Sequence, residues 1–155
     1  MLTKILIIVL KALIGFVGIT ALLSGPYLIA DPSGKSIHFP EGTLAGTPFP
    51  DFLIPGFILT FLVGLYSFVV LLWLLFPKLI PISVNSPLQL RWYAAFGTGI
   101  SIIVFITTQL LLIPFRMFLQ PLYLTIGLLI CGICLLPNVR NYFKNNEKPT
   151  HKMGY

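Results

Sequence analysis

Few residues in this chain could do chemistry, and they fall into two groups. The first is Cys131 and Cys134, two thiols three positions apart in one apolar run. At that spacing they share a helix face, and a thiol pair so placed could carry electrons by disulfide exchange. The second group is Asp31, Ser33, Asp51, Gln109, Arg116 and Gln120. They are scattered in sequence but converge on one end of the molecule once the chain is threaded as below. Two carboxylates, a hydroxyl, two amides and a guanidinium could hold a polar ligand or partner group through charge-assisted hydrogen bonds. His38 and Glu41 share a loop with Asp31 and Asp51 and invite comparison with a metal site. A single loop histidine, no H-E-x-x-H pattern and His151 far away in the tail make a poor ligand set, so no metal is expected. No cofactor is expected either.

The elements that must position these groups follow from composition. Of 155 residues, 57% are hydrophobic and only 9% are charged, against about 25% charged in a soluble domain. That is the composition of a membrane protein. The net charge of +6 could suggest nucleic acid, but the cations sit at the ends of apolar runs and form no basic patch, so nucleic acid is excluded as a partner. Lys4 followed by an apolar run resembles a signal peptide, yet Lys11 interrupts the run and no small-residue cleavage site follows. It reads as a retained first span.

A membrane-crossing helix needs about 20 mostly apolar residues. Four runs meet or approach that length, at about 12–28, 52–76, 92–113 and 117–136. In the first, residues 5–10 lie near the inner interface, with Lys11 snorkelling to it. Asp51 stands where a helix N-cap would, and Pro55 falls in the first turn, where its missing N–H costs little. Trp92 and Tyr93 open the third run as an interfacial aromatic pair. Residues 138–155 read as a polar, mobile cytoplasmic tail. The expected fold is an all-α integral membrane protein, a single domain over 1–155. It is a four-helix bundle with a structured extracytoplasmic cap at 30–51.

The distribution of cations sets the threading. With both termini inside, Lys4, Lys11, Lys78, Arg91, Arg140, Lys144, Lys148 and Lys152 lie on the inner face, and Lys35 and Arg116 lie outside. Eight against two satisfies the positive-inside rule. Asp31, Ser33, Asp51, Gln109, Arg116 and Gln120 then all lie at the outer end.

Small residues mark the faces on which the helices should approach closely. They are Gly15, Gly18 and Gly25 in the first run, and Gly56, Thr60, Gly64 and Ser67 in the second. The third has Ala95 with Gly99 and Gly97 with Ser101, and the fourth has Gly127, Cys131 and Cys134. The two cysteines therefore also have a plain packing reading, the usual one for buried thiols.

The sequence Asp31-Pro32-Ser33-Gly34 fits a type I turn. The rest of the loop carries Ile37, Phe39, Leu44, Phe49 and Phe52, stiffened by Pro40, Pro48 and Pro50, so it should lie on the outer headgroup layer as a cap. An ion pair from Arg116 to Asp31 or Asp51 would pin that cap across the bundle.

Two resemblances bear on function. Four helices and a C-x-x-C pair resemble the vitamin K epoxide reductase family, which implies thiol redox chemistry. That family's pair opens the fourth helix on the extracytoplasmic side and is served by loop cysteines. Here the pair lies near the inner end beside Pro137, and the chain has no other cysteine. Over nearly the whole chain, Asp31-Pro32-Ser33-Gly34, Pro48-Phe49-Pro50-Asp51, Pro55-Gly56, Gln109 and Gln120-Pro121 resemble a group of small, uncharacterised four-span bacterial membrane proteins. This implies a bacterial cytoplasmic membrane and no particular activity.

The central spans carry no ionisable group that could act as acid or base, and no nucleophile–base pair is visible. The sequence thus favours a non-enzymatic subunit of a membrane assembly, or a homo-oligomer, with membrane lipid as its surroundings. The first alternative is a binder or carrier of a lipophilic small molecule beneath the cap. The second is a redox enzyme using Cys131 and Cys134.

Overall fold

The structure, a computed structural model, describes residues 1–77, 90–113 and 118–146. Helix α1 spans Leu2–Ala30 and α2 spans Leu53–Leu75. Helix α3 spans Leu90–Leu112, α4 spans Leu119–Leu135 and α5 spans Pro137–Asn146. There is no strand among the described residues. By length and hydropathy α1, α2 and α3 could each cross a membrane, and α4 joins them if it is taken together with α5 across a 65° bend.

Prolines and their neighbours set most of the boundaries. Pro32 drives Asp31 out of the helical region, to φ −129° and ψ 84°, and α1 stops. Asp51 Oδ1 accepts the Leu53 amide at 2.9 Å and opens α2, with Pro55 in its first turn. Leu136, forced extended by Pro137, makes the corner between α4 and α5.

Helix α1 is longer than the 12–28 span. At about 1.5 Å per residue it reaches about 43 Å. Its first turns are not peripheral, because Ile7 and Leu10 are buried there. What covers them is α5, and here the sequence reading needs correction. Residues 137–146, taken as the start of a mobile tail, form an amphipathic helix. Its Val139 and Phe143, four apart, are sealed into the core at 0% and 3% exposure, while Arg140, Asn141 and Lys144 face outward. The polar composition concealed two apolar anchors at helical spacing. Residues 147–155 lie outside the described residues, as does Met117, where the fourth span was expected to begin.

The four long helices form two antiparallel hairpins, each closed by glycines. In the α1–α2 pair, a β-carbon placed at Gly18 would lie 3.0 Å from the Phe68 backbone nitrogen, and one at Gly64 would lie 3.0 Å from that of Leu22. In the α3–α4 pair, a β-carbon at Gly99 would lie 3.0 Å from the Gly127 carbonyl oxygen and would strike the Cys131 sulfur. Backbones this close gain dispersion contacts that larger residues would forbid.

The middle of α2, Ile58–Leu65, is wound as a π-helix. A step of four residues in an α-helix overshoots a full turn by about 40°. The wider π turn removes that drift, so Gly56, Thr60 and Gly64 stay aligned and all three are buried against α1. Thr60 turns its hydroxyl to the Gly56 carbonyl at 2.7 Å, which leaves no polar group orphaned in the seam.

The two hairpins join at the end that carries α5. Leu10, Ile14, Trp92, Val139 and Phe143 share one core there. The Trp92 indole N–H donates to the Cys134 carbonyl at 2.7 Å, and the Arg140 guanidinium lies 5.4 Å over the Trp92 ring. Farther along, the Tyr66 hydroxyl donates to the Ala94 carbonyl at 3.0 Å, and Phe16 stacks on Tyr123 with ring centroids 6.0 Å apart.

Candidate functional site

Beyond those two tyrosines, toward the 31–52 loop, the hairpins separate and enclose a cavity of about 930 Å³. Helix α1 lines it with Thr20, Ala21, Ser24 and Leu28, and α2 with Ile58, Leu59, Leu62 and Val63. Helix α3 contributes Gly97, Ser101, Phe105 and Gln109, and α4 contributes Gln120 and Tyr123. The loop forms the roof with Ile37, Phe39, Thr43, Leu44, Phe49 and Phe52. The apolar loop residues expected to form a cap are thus the ones that cover the space.

The roof is built by local chemistry. Gly34 has φ 74°, and a side chain there would collide with the Phe39 and Phe52 rings, which stack 4.7 Å apart. The Phe52 amide donates to the Pro32 carbonyl at 2.9 Å and closes the loop at its base. Thr43 is buried, its hydroxyl donating to the Pro40 carbonyl at 2.5 Å.

The carboxylates serve this loop rather than the cavity. Asp31 Oδ1 accepts from the Ser33 hydroxyl at 2.5 Å and from the Ser33 amide at 3.2 Å, and Oδ2 accepts the Ser36 amide at 2.8 Å. The Ser33 hydroxyl and the Ser36 groups hold the Asp31 carboxyl down at about 2, from 3.8. Asp51 is engaged with the α2 N-terminus. Asp31, Ser33 and Asp51 therefore make turn and cap, and none of them lines the cavity. Of the residues expected to converge there, the described structure brings together Gln109 and Gln120. Arg116, and with it the expected ion pair to the loop, lies outside the described residues.

The polarity of the cavity wall is sparse and specific. It contains no Asp, Glu, Lys, Arg or His among the described residues. Its serine and threonine hydroxyls on α1 and α3 are satisfied within their own helices: Ser24 donates to the Thr20 carbonyl at 2.8 Å, Ser101 to Thr98 at 2.9 Å and Thr108 to Val104 at 2.8 Å. Gln120 is buried at 6% exposure and has a partner. The Gln109 side chain makes no hydrogen bond with a described residue, so its amide is available to the cavity.

Sequence reasoning placed Gly97 and Ser101 in a helix-packing stripe. They face the cavity instead, with Gly97 lying against the Tyr66 hydroxyl. Tyr123, Thr20 and Leu62 carried no signal of their own, because cavity-lining and helix-packing residues have the same apolar or small character.

The thiols lie away from the cavity. Cys131 and Cys134 are free and buried, at 8% and 0% exposure, on the face that α4 presents to α3. Cys131 fills the notch at Gly99, and Cys134 lends its carbonyl to Trp92. No group of three or more metal-ligating side chains gathers among the described residues. No protein-family model matches this chain, and neither the curated proteins nor the solved structures compared with it give a significant match.

Proposed function

We propose that this chain is a four-span protein of the bacterial cytoplasmic membrane that binds or carries a lipophilic small molecule beneath its extracytoplasmic 31–51 loop. One observation carries this reading: the bundle is not filled. A cavity of about 930 Å³ lies under the loop, with an apolar wall and a few amide groups. Small-molecule sites have this build and this order of size.

The placement of charge supports the threading. Among the described residues, Lys4, Lys11, Arg91, Arg140 and Lys144 cluster toward the end that carries α5, and Lys35 lies in the loop at the other. The start of α1 together with α5 makes a cationic collar, and the collar would sit at the inner interface. A role as assembly subunit or homo-oligomer, which the sequence alone favours, rests on composition rather than on a described surface.

Purification in mild detergent followed by mass spectrometry of retained small molecules tests the function. A lipophile enriched over the detergent extract, and lost when Ser101→Phe narrows the cavity, is the expected result. A protein that retains nothing and takes up no added lipophile overturns it. For the threading, Lys35→Cys should react with an impermeant thiol reagent applied from outside the cell, and Lys4→Cys should not. The reverse pattern would invert the topology.

A further inference from the structure

The wall of the cavity also restricts what it can hold. Resting on the binding role proposed above, we propose that the occupant is an uncharged amphiphile drawn from the leaflet on the loop side. It lies parallel to the helices, its single polar end against Gln109 and its hydrocarbon chain toward Gly97.

Charge is excluded by the wall. A buried ion without a counter-charge loses several kcal/mol of solvation, and the described lining offers no counter-charge of either sign. A polar end is nevertheless called for. The Gln109 amide presents two donors and one acceptor oxygen, faces an apolar space and has no described protein partner. An amide so placed favours a hydroxyl or carbonyl over bare hydrocarbon, because an unmatched polar group costs about 1–3 kcal/mol.

The dimensions match one leaflet. Gln109 stands near the roof and Gly97 near the floor, twelve residues apart on α3, which is about 18 Å of helix. Half of a hydrocarbon core of about 30 Å is close to that depth. The amphiphile would therefore keep the orientation it has in the bilayer, polar end outward, and need not turn over to bind.

The cavity is also reachable from the side. Two seams separate the hairpins. Tyr66 on Ala94 bridges one below the cavity, and Phe16 on Tyr123 bridges the other. Above these bridges the cavity-lining Leu62 and Val104 flank the α2–α3 seam at 54% and 58% exposure, and Leu23 and Leu119 flank the α1–α4 seam at 63% and 52%. Exposed apolar side chains at a cavity rim let a lipid chain pass without meeting a polar barrier.

The test uses the full-length protein in phosphatidylcholine nanodiscs and three diazirine-tagged probes of equal chain length: hexadecanol, hexadecyl sulfate and hexadecane. Peptide mapping after photolysis reports where each attaches. Hexadecanol should label the cavity segments of α2 and α3, and the sulfate should label them at least about tenfold less. Gln109→Leu should cut hexadecanol labelling several-fold and leave hexadecane labelling unchanged, which also reports that the variant is folded. Gln109→Asn, which keeps the amide, should restore part of the hexadecanol labelling. Equal labelling by the sulfate, or hexadecanol labelling indifferent to Gln109→Leu, overturns this inference while leaving a lipophile site in place. Absence of cavity labelling by all three probes removes the binding role itself.

Discussion

Thr60 occupies the notch that Gly25 leaves in α1. A β-carbon at position 25 would run into the Thr60 hydroxyl and come within 2.9 Å of its backbone nitrogen and 3.0 Å of its α-carbon. Side-chain rotation cannot relieve a backbone contact, so α1 and α2 would have to move apart. Gly25→Ala should lower stability by about 1–3 kcal/mol, the usual cost of overpacking. The control is Gly132→Ala on α4, where the added carbon meets nothing within 4 Å. That variant should be neutral or more stable by up to about 1 kcal/mol, from helix propensity alone. Thermal unfolding in detergent distinguishes the two. A harmless Gly25→Ala would mean that the hairpin is looser than described.

Ser67 offers a prediction of opposite sign. Its hydroxyl is fully buried and has no hydrogen-bond partner among the described residues. Ser67→Ala removes an unsatisfied polar atom and should be neutral or stabilising, by up to about 2 kcal/mol. A clear loss of stability in the same thermal assay would show that the hydroxyl has found a partner, such as a buried water.

Trp92 ties α3 to α4 through a buried hydrogen bond to the Cys134 carbonyl. Trp92→Phe keeps a ring but leaves that carbonyl unmatched. The cost should be about 1–3 kcal/mol, seen as an earlier unfolding midpoint. Cys134→Ala retains the carbonyl and should cost less than Trp92→Phe. If the cysteine variant proved the more damaging, the thiol would have a role beyond packing.

The hairpins were legible in the sequence to the extent that small residues were. Gly18, Gly25, Gly56, Thr60 and Gly64 pack as their spacing implied, and so do Gly99, Gly127 and Cys131. The cavity was only half legible. Gln109 and Gln120 stood out as polar groups in apolar surroundings and both line it. Asp31 and Asp51 stood out equally, but turn and capping chemistry between near neighbours in sequence claims them. Gly97 and Ser101 resembled a packing stripe because an unfilled space leaves no mark on the residues around it. The π winding of α2 was invisible for a similar reason: its residues are as apolar as those of any α-helix.

Helix α5 gives a fourth prediction. Phe143→Ala should destabilise the termini end by about 3 kcal/mol or more, whereas Asn141→Ala on the exposed face should change stability by less than about 0.5 kcal/mol. Limited proteolysis at the C-terminal segment reads the difference. Equal protection of the two variants would mean that α5 is not anchored by its buried face.

The loop should be unusually tolerant of acid. Asp31 ionises at about 2 rather than 3.8, because the folded loop favours its charged form. Its stabilising effect is complete above about 3.8 and disappears as the pH falls through about 2. Amide exchange at Ser33 and Ser36 should therefore stay slow through the mildly acidic range and accelerate only toward pH 2. Asp31→Ala should make both amides exchange quickly at neutral pH. Protection lost near pH 4 in the unaltered protein would contradict the Asp31 network.

The π-wound stretch of α2 has a consequence for how the chain tolerates change in length. A turn closed by an i→i+5 bond carries one residue more than an ordinary helix needs. Deleting any residue within Ile58–Leu65 would let the segment rewind as α-helix and rotate everything after it by about 100°. The Tyr66 phenol would swing off the Ala94 carbonyl, and the clasp between the hairpins would open. The surplus residue acts as a phase offset: it sets the azimuth of one half of α2 independently of the other, so a single rod can grip two neighbours that face it from different directions.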